Sequence, residues 1–358
     1  MKKLISMALA VVMVLSLTAC GSKPKTEADS AENNSGTDAL KYETLNVGTQ
    51  ANYIGAPAYY AYEKGYFDEI GLDVNLIIFD SGAPINEALA AKEIDVGQSG
   101  FASIYSMSSD VCSWVMEVDN AYRQQKLFCA PDSLLLQETN ENGICGSTET
   151  VKGLTAVVTV GTTSQFHVEK YAAMFGVAPS DITELNLDFS AQYQAFISGE
   201  ADLMSASGVS VYQIEDAGYV SIGTFEDIVG LNLCDGITVR NHVLASRREE
   251  IVLYLQCVQK AMDELGSDAN LRFEYLKQFY ADRGQTIEDS VLKRLSDDTI
   301  YLTTDEIMAE NYAFASQWGD ISDFLMENGK FDETGRANVD KNIDVSLLRD
   351  ATGLDITS

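Results

Sequence analysis

The order of predicted elements restricts the fold more than any other feature of this sequence, because a strand, a turn and a helix follow one another repeatedly. The β-branched run Asp73–Phe79, for example, precedes the turn Asp80–Pro84 and an amphipathic helix. The same order recurs at residues 44–67 and at residues 94–107. Strands that are joined through helices form a largely parallel sheet, whose ligands bind at the carboxyl ends of the strands. The sequence therefore predicts an α/β fold with its binding site at those ends.

The second half of the chain continues this order. A strand at Leu154–Val160 leads into a helix at Thr163–Phe175, and a strand at Ile182–Leu187 leads into a helix that ends near Gly199. Shorter strands are predicted at Ser133–Gln137, Ala201–Met204, Tyr219–Gly223 and Gly236–Arg240, with a turn at Ser205–Gly208. Beyond Arg247 the apolar residues recur with helical periodicity. Helices are predicted there at Glu249–Leu265, Leu271–Asp282, Ile287–Leu295, Thr304–Gln317 and Ile321–Glu327. These last helices are expected to cover the sheets.

The junction at Gly161–Val168, with the sequence GTTSQFHV, follows a β-branched strand and has hydroxyl residues in the first turn of its helix. A helix that begins there points unpaired N–H groups and its positive dipole end at the region above the strand. Thr162, Thr163 and Ser164 can each cap the helix, and a hydroxyl not needed for capping can bind a ligand oxygen. The junction is thus either an anion site or a helix cap that contacts no ligand.

Length and charge limit the class of protein. The chain has 358 residues, enough for two domains that each have a core, and its 24 basic and 54 acidic residues give a net charge of −30. Such an acidic chain is a poor partner for nucleic acid or for an anionic membrane surface.

The N-terminal segment has the pattern of an export signal. Residues 1–19 have a basic start and an apolar stretch, and the sequence Leu17-Thr18-Ala19-Cys20 has the form of a lipobox. We therefore expect a signal peptide at 1–19 and a diacylglycerol anchor on Cys20, although an uncleaved membrane helix would share the apolar stretch. The polar residues 20–41 are expected to form a disordered tether between Cys20 and the folded part.

Five cysteines follow Cys20, and an exported protein can form disulfides. A disulfide between Cys129 and Cys145 would close a short loop, but the odd number of cysteines leaves at least one free thiol. The sequence therefore does not decide whether this disulfide forms. The chain has no CxxC motif and no Cys/His cluster, and we expect no metal site.

Six motifs occur in the order typical of one family. They are Tyr59–Val74, Phe79–Gly97, the GTTSQFHV junction, Ala195–Asp202, Tyr301-Leu302-Thr303 and Phe324–Lys330. Together they resemble substrate-binding proteins of ABC importers in the nitrate, sulfonate and taurine family, which have the type II periplasmic-binding-protein fold. The resemblance extends from about Thr44 to about Leu348, and taurine-binding members are the most similar.

The resemblance implies two α/β lobes, each a mostly parallel sheet flanked by helices, which close on one ligand between them. Lobe 1 would comprise residues 42–131 and 236–348, and lobe 2 residues 132–235. The ligand contacts that the resemblance implies are Gln50, Asn52, Tyr53, Ser81, Gly82, Ser99, Gly100, Thr162, Thr163, Ser164, Gln165, Asp188, Gln192, Ser207 and Asp235. Asp235 occupies the place where taurine binders have an acid facing the ligand's amine, whereas Gln165 stands where the family commonly has a histidine.

The residue types at the strand ends fit a small anion or zwitterion. N–H and O–H donors can share an anion's charge in a closed site, and the predicted loops contain no Arg or Lys. Asp188 and Asp235 could add a cation subsite, or they could cap a helix and the hinge. His167 lies within the helix of the junction, and we expect it to be packed or on the surface.

The resemblance therefore implies a lipid-anchored extracytoplasmic binding protein, with a ligand of the taurine, alkanesulfonate or nitrate class. Its partners would be the ABC permease with its cytoplasmic ATPase, and we expect a monomer without cofactor, metal or catalytic residues. Two alternatives remain: a binding protein for a thiamine pyrimidine precursor, and an enzyme similar to the pyrimidine-precursor synthases. The synthases need a cysteine-rich motif and an active-site histidine, which this sequence does not show.

Overall fold

A computed structural model describes residues 42–121 and 124–356. The predicted signal peptide, Cys20 and the tether lie outside the described residues. Within the described part, no helix combines the length and apolar character needed to cross a membrane.

The described residues form two mixed sheets. The first has the strand order β11-β4-β10-β3-β1-β2. Its strands are β1 Leu45–Gln50, β2 Val74–Phe79, β3 Val96–Ser99, β4 Cys112–Asn120, β10 Cys234–Arg240 and β11 Ile300–Tyr301. β1 runs parallel to β2 and β3, whereas β10 is antiparallel to β3 and β4, and β11 is antiparallel to β4.

The second sheet has the order β7-β6-β8-β5-β9. Its strands are β5 Gln125–Cys129, β6 Thr155–Val158, β7 Thr183–Asn186, β8 Leu203–Ser207 and β9 Val220–Thr224. β6 runs parallel to β7 and β8, and β5 is antiparallel to β8 and β9. The chain leaves the first sheet after β4 and returns to it with β10.

Helices connect and cover the strands. Those of the first part are α1 Ala56–Glu63, α2 Tyr66–Glu69, α3 Gly82–Ala91, α4 Ser103–Ser108, α5 Thr148–Val151, α6 Thr163–Met174, α7 Phe189–Ile197, α8 Val209–Asp216 and α9 Phe225–Val229. After β10 follow α10 Asn241–Ser267, α11 Ala269–Asp282, α12 Asp289–Asp298, α13 Thr304–Ile307, α14 Trp318–Glu327, α15 Glu333–Lys341 and α16 Val345–Thr352. A single helix was predicted from Pro57 through Phe67, but Gly65, at a φ of 75°, separates α1 from α2.

The core of the first sheet lies between its strands and the long helices that follow β10. Trp114 of β4 packs edge-on against Trp318 of α14, with ring centroids 4.9 Å apart, and both side chains are fully buried. Aromatic pairs in this geometry contribute beyond the area they bury. The prediction that the C-terminal helices cover a sheet is confirmed here.

Several local predictions were wrong. The sheets are mixed and not largely parallel. Strands β4 and β5 were not predicted. β4 is buried along nearly its whole length, so its sequence lacks the alternation of a half-exposed strand. Ser133–Gln137 is not a strand but a single 3₁₀ turn at Leu134–Gln137, in which the Ser133 hydroxyl accepts from the Leu135 N–H.

Two further segments differ from the prediction. β8 continues through Ser207, where a turn was expected from Ser205 onward, because its residues pair with β5. The helix predicted at Thr304–Gln317 is confined to Thr304–Ile307, and Ala315 has a φ of 61°, which a continuing helix does not allow.

The predicted lobes and the sheets have different limits. β5 belongs to the second sheet although the first predicted segment extends to residue 131, and β10 begins at Cys234, before the predicted return at residue 236. The division into lobes stays a prediction. Cys129 and Cys145 are free thiols in the described structure.

Candidate functional site

A cavity with about 440 Å³ of empty space, its open mouth included, lies where the loops after several strands meet. Its walls come from the β1–α1 loop, the starts of α3, α6 and α7, the β3–α4 turn, and strands β5, β8 and β10. The lining residues are Gln50, Asn52, Tyr53, Ile54, Gly82, Gly100, Phe101, Ala102, Gln125, Thr162, Thr163, Phe189, Ser207 and Asp235. A wider cavity with about 1400 Å³ of empty space shares Asn52, Tyr53, Phe189 and Ser207 with it. Nine of the predicted contacts thus line one cavity.

The β1–α1 loop is fixed by its own hydrogen bonds. Asn52 Oδ1 accepts from the Ile54 N–H at 3.0 Å, and the buried Gln98 donates from Nε2 to the Ile54 carbonyl at 2.6 Å. Gln98 Oε1 in turn accepts from Thr49 Oγ1 at 3.1 Å. These bonds hold the polar side chains of Gln50 and Asn52 at the cavity without a rigid secondary element.

The hydroxyl groups at the N-terminus of α6 have different roles. Ser164 Oγ accepts from the Thr159 N–H at 2.8 Å, and Thr162 Oγ1 donates to the Thr159 carbonyl at 2.8 Å. Thr162 Oγ1 also accepts from the Ser164 N–H, so Thr162 is the N-cap. Ser164 is fully buried and does not line the cavity, which shows that its hydroxyl serves the strand–helix junction.

Thr163 lines the cavity and differs from its neighbours, because its hydroxyl has no hydrogen-bond partner among the described residues. As the first residue of α6 it also has an N–H group without an intrahelical acceptor. One hydroxyl and the positive end of a 12-residue helix therefore face the cavity at this position.

Gln165 is turned away from the cavity. Its Oε1 accepts from the Gly161 N–H at 2.9 Å, and its Nε2 donates to Glu184 at 2.8 Å. The side chain thereby closes the glycine turn before α6 and holds it to β7.

A pair of acidic residues, Asp235 and Asp119, lies at another part of the cavity. Asp235 in β10 lines the cavity and pairs in register with Asp119 in β4, which is fully buried. Burial raises the pKa of Asp235 to about 7, although hydrogen bonding by Asp119 and Tyr53 acts in the opposite direction. Burial and the charge of Asp235 raise the pKa of Asp119 well above its usual range. Since two adjacent carboxylates repel each other, this pair favours a partly protonated state.

Tyr53 lines the cavity, as its place in the β1–α1 loop led us to expect. The buried Tyr301 hydroxyl donates to the Tyr53 carbonyl at 2.9 Å, which fixes the backbone. Burial, followed by the charges of Asp235 and Asp119, raises the pKa of Tyr53, so its hydroxyl stays protonated.

Gln125 was missed by the sequence analysis because β5 was not predicted. It is 3% exposed, lines the cavity beside its strand partner Ser207, and its Nε2 has no hydrogen-bond partner among the described residues. A buried amide donor without a partner is costly unless a ligand or water accepts from it. No local pattern marked Gln125, which is the first residue of the five-residue strand β5.

Apolar residues complete the wall and were also missed. Phe101 and Ala102 follow Gly100, Ile54 follows Tyr53, and Phe189 follows Asp188. In each case one residue of the loop was predicted as a contact and its apolar neighbour was not. Apolar surface around a few converging polar groups is typical of small-molecule sites.

Four other predicted contacts lie outside the smaller cavity. Ser81 is buried at the N-cap of α3, and Ser99 Oγ lies 3.0 Å from Ser103 Oγ. Gln192 lines the wider cavity but donates from Nε2 to Thr159 Oγ1 at 2.7 Å. Asp188 is exposed at the N-cap of α7, where its side chain makes no capping bond.

His167 is fully buried, which confirms that it is packed. Its Nδ1 lies 2.9 Å from Ser205 Oγ of β8, and burial lowers its pKa to about 3. Among the described residues that line the smaller cavity none is basic, and no group of three or more His, Cys, Asp or Glu in the described chain could hold a metal ion.

Comparison with known families and proteins gives a consistent result. Residues 52–268 match the family described as NMT1/THI5 like. The chain is also similar to a putative ABC transporter periplasmic binding protein of Brachyspira hyodysenteriae, with 25% identity over 309 residues that cover 85% of this chain and 88% of the relative.

Solved structures show the fold. The alkanesulfonate-binding protein SsuA from Xanthomonas axonopodis pv. citri, bound to MOPS, superposes with a TM-score of 0.66 at 15% identity, covering 84% of this chain and 98% of the other. The periplasmic nitrate-binding protein NrtA from Synechocystis PCC 6803 superposes with a TM-score of 0.68 at 15% identity, covering 88% and 90%. The chain therefore has the periplasmic-binding-protein fold that the six motifs predicted.

Proposed function

The chain belongs to the NMT1/THI5-like family, and from this premise we propose that it is the substrate-binding component of an ABC importer. It would capture a small anionic or zwitterionic solute outside the cytoplasm and deliver it to a permease, without chemical change. The relative from Brachyspira hyodysenteriae, named as an ABC transporter periplasmic binding protein, supports this class of function.

One observation carries the proposal of the ligand class. A single cavity is lined by Asp235, by the N-terminus of α6 with Thr163, and by the unpartnered amide donor of Gln125. A carboxylate binds a cationic group, whereas a helix N-terminus and an amide N–H bind anionic oxygens. A zwitterion with a sulfonate or similar anion and an amine satisfies all three, so aminosulfonates such as taurine are favoured over nitrate.

Two aromatic rings favour one second candidate. Phe101 and Phe189 line the same cavity, and aromatic rings can stack on a flat heterocycle. A thiamine pyrimidine precursor, which also carries an amine for Asp235, is therefore the alternative ligand.

A thermal-shift screen of the purified full-length chain tests both candidates. The panel comprises taurine, ethanesulfonate, nitrate and an aminopyrimidine, each at concentrations up to the millimolar range. A ligand that binds the folded state raises the unfolding temperature according to its concentration relative to Kd. Stabilisation by taurine but not by the pyrimidine supports the first candidate, and the reverse result supports the second. Conversion of any bound compound to a product would show that the chain is an enzyme.

We also propose that Cys20 carries a lipid that anchors the chain, and that the folded part acts as a monomer beside the permease. Cys20→Ser removes the thiol that accepts diacylglycerol and should move the protein from the membrane fraction to the soluble fraction of the expressing cells. Unchanged membrane association of this variant would show that the N-terminal apolar stretch is retained as the anchor. Light scattering of the purified chain would detect a dimer.

A further inference from the structure

Asp119 is a buried acid for which the fold provides no ordinary partner. It is fully buried in β4, and neither of its carboxylate oxygens accepts a hydrogen bond from an N–H or O–H group of the described residues. An ionised carboxylate in that position would be strongly unfavourable. The group in hydrogen-bonding contact with it is another carboxyl, that of Asp235 on the paired strand.

The described residues around the pair supply no compensating charge. Among the described residues, the titratable side chains that interact with the pair are Tyr53 of the β1–α1 loop, Cys234 of β10 and Tyr301 of β11, while Glu117 of β4 and Tyr280 of α11 interact with these neighbours. All of these are acids. Arg272 of α11 acts on Tyr301, but its guanidinium donates to the carbonyls of Ser296, Leu265 and Gly266.

Two carboxyl groups in contact, with no cation from the described residues between them, are bridged most simply by a proton. Asp119 has no exposed surface, whereas Asp235 is 6% exposed and lines the cavity. The proton therefore belongs mainly to Asp119, whose O–H donates to Asp235 and leaves the other Asp235 oxygen directed at a ligand. In this arrangement Asp119 is a positioning residue, since it acts through Asp235.

We propose that Asp119 and Asp235 share one proton and together form a cation subsite of single negative charge, which binds a protonated amine of the ligand. The inference deepens the proposed function and rests on it for the identity of the ligand. When a second proton enters the pair, the subsite becomes neutral, and a ligand ammonium must displace that proton to the solvent before it can bind. Above the pH of that second protonation, binding moves no proton.

The first test needs no ligand. Infrared spectra of the full-length chain in D₂O at pH 8 report protonated carboxyl groups through their C=O stretching band. Asp119→Asn should remove intensity equivalent to one protonated carboxyl, because an asparagine keeps the donor but has no acid proton. Spectra of Asp119→Asn that match wild type at pH 8 would show that Asp119 is ionised, and the shared proton would be ruled out.

Glu117→Gln is the matched control. Glu117 lies two positions before Asp119 on the same strand and is also buried, with a pKa raised to about 7 by burial, but it accepts from the Ala315 N–H at 3.0 Å and does not line the cavity. This substitution should leave the Asp119 signal in place. Circular dichroism and thermal midpoints of both variants establish that they are folded.

The second test measures the dissociation constants of taurine and ethanesulfonate between pH 5.5 and 8. The two compounds share a sulfonate, but ethanesulfonate has no amine. Competition with one proton should weaken taurine binding by about tenfold per pH unit below pH 7, while ethanesulfonate binding should not weaken. Calorimetry in two buffers of different ionisation enthalpy should detect one proton released per taurine at low pH.

The two variants test the shared proton separately from the identity of the ligand. Asp119→Asn keeps a donor to Asp235 and the single negative charge of the subsite, so it should bind taurine at pH 8 as tightly as wild type and keep the wild-type pH profile, as should Glu117→Gln. Markedly weaker taurine binding by Asp119→Asn at pH 8 would show that Asp119 carries a second negative charge in the wild type, and would overturn the proposal. If neither compound binds at any pH, the proposed ligand class and the cation subsite are both wrong, and the infrared result alone decides on the shared proton.

Discussion

Gly100 and Asp235 lie so close together that a Cβ atom on Gly100 would be 1.8 Å from Oδ1 of Asp235. Gly100 directly follows β3, and Asp235 lies near the start of β10, so the absence of one side chain determines where the carboxylate sits. The glycine is needed for this approach and not for its backbone dihedral, because its φ is not positive.

Gly100→Ala should therefore displace the Asp235 carboxylate and weaken ligand binding. Overpacking of a tight site costs about 1–3 kcal/mol, which corresponds to about 5- to 150-fold in Kd. Isothermal titration with the ligand identified by the thermal-shift screen measures the effect. Gly319→Ala in α14, where an added Cβ meets no atom within 4 Å, is the control and should leave Kd unchanged. Equal affinities of Gly100→Ala and wild type would mean that Asp235 does not contact the ligand.

Gln125→Leu should weaken binding without loss of stability. The substitution removes a buried amide whose donor has no protein partner, and a hydrogen bond to a charged group is worth about 1.5–3 kcal/mol, or about 10- to 150-fold in Kd. The adjacent Gln124 provides the contrast, since its Nε2 donates to the buried Thr299 Oγ1 at 2.8 Å. Gln124→Leu should lower the free energy of unfolding by about 1–3 kcal/mol. Urea unfolding and titration calorimetry on both variants distinguish the two roles, and a Gln125→Leu variant that binds as wild type would remove this donor from the site.

The hydroxyl groups of Thr163 and Ser164 at the start of α6 should also differ in role, one affecting ligand binding and the other stability. Thr163→Val removes the hydroxyl that faces the cavity and should raise Kd by about tenfold, at nearly constant stability. Ser164→Ala leaves the buried Thr159 N–H without its acceptor and should cost about 1–3 kcal/mol of stability. Kd and unfolding free energy are measured for each variant. Should Thr163→Val bind as tightly as wild type, the N-terminus of α6 would not be an anion site.

The buried His167 should reduce stability on acidification. Because burial lowers its pKa to about 3 in the folded state, while the unfolded value is about 6.5, the unfolded chain alone takes up a proton between these two values. The stabilising contribution of a neutral His167 is thus complete above pH 6.5 and is lost as pH falls towards 3, by about 1.4 kcal/mol per pH unit.

His167→Gln isolates this contribution from the acidic groups, whose raised pKa values act in the opposite direction. The difference in unfolding free energy between wild type and His167→Gln should decrease as pH falls from 6.5 to 4.5. Urea unfolding at a series of pH values gives this difference. The exposed His242 allows the matched substitution His242→Gln, which retains the buried imidazole and should reproduce the wild-type slope. A difference that stays constant with pH would show that His167 is protonated in the folded protein.

Local sequence patterns predicted much of the fold. The strand and helix on either side of Gly161 were placed to within a few residues, because a β-branched run, a glycine and three hydroxyl residues act through neighbouring backbone atoms. The same reasoning pointed to Thr163 at the carboxyl end of a strand, whereas Gly82 and Gly100 were implied by the family resemblance; all three line the cavity.

The patterns were less informative where burial removes the alternation of polar and apolar residues. The β4 sequence from Cys112 to Asn120 is buried along nearly its whole length, so neither its strand character nor its pairing with β10 follows from periodicity. Gln125 was missed for the same reason, because it begins a strand that was not predicted.

The sequence by itself determined the repeated strand–turn–helix units, the family and most of the loops that form the cavity, because these depend on residues close together in the chain. The tertiary structure decided which side chain in each loop faces the cavity: Thr163 and not Ser164, and Asp235 with Asp119 behind it. Strand register and burial set those choices, since they bring together residues that are far apart in sequence and determine which polar groups already have partners within the protein.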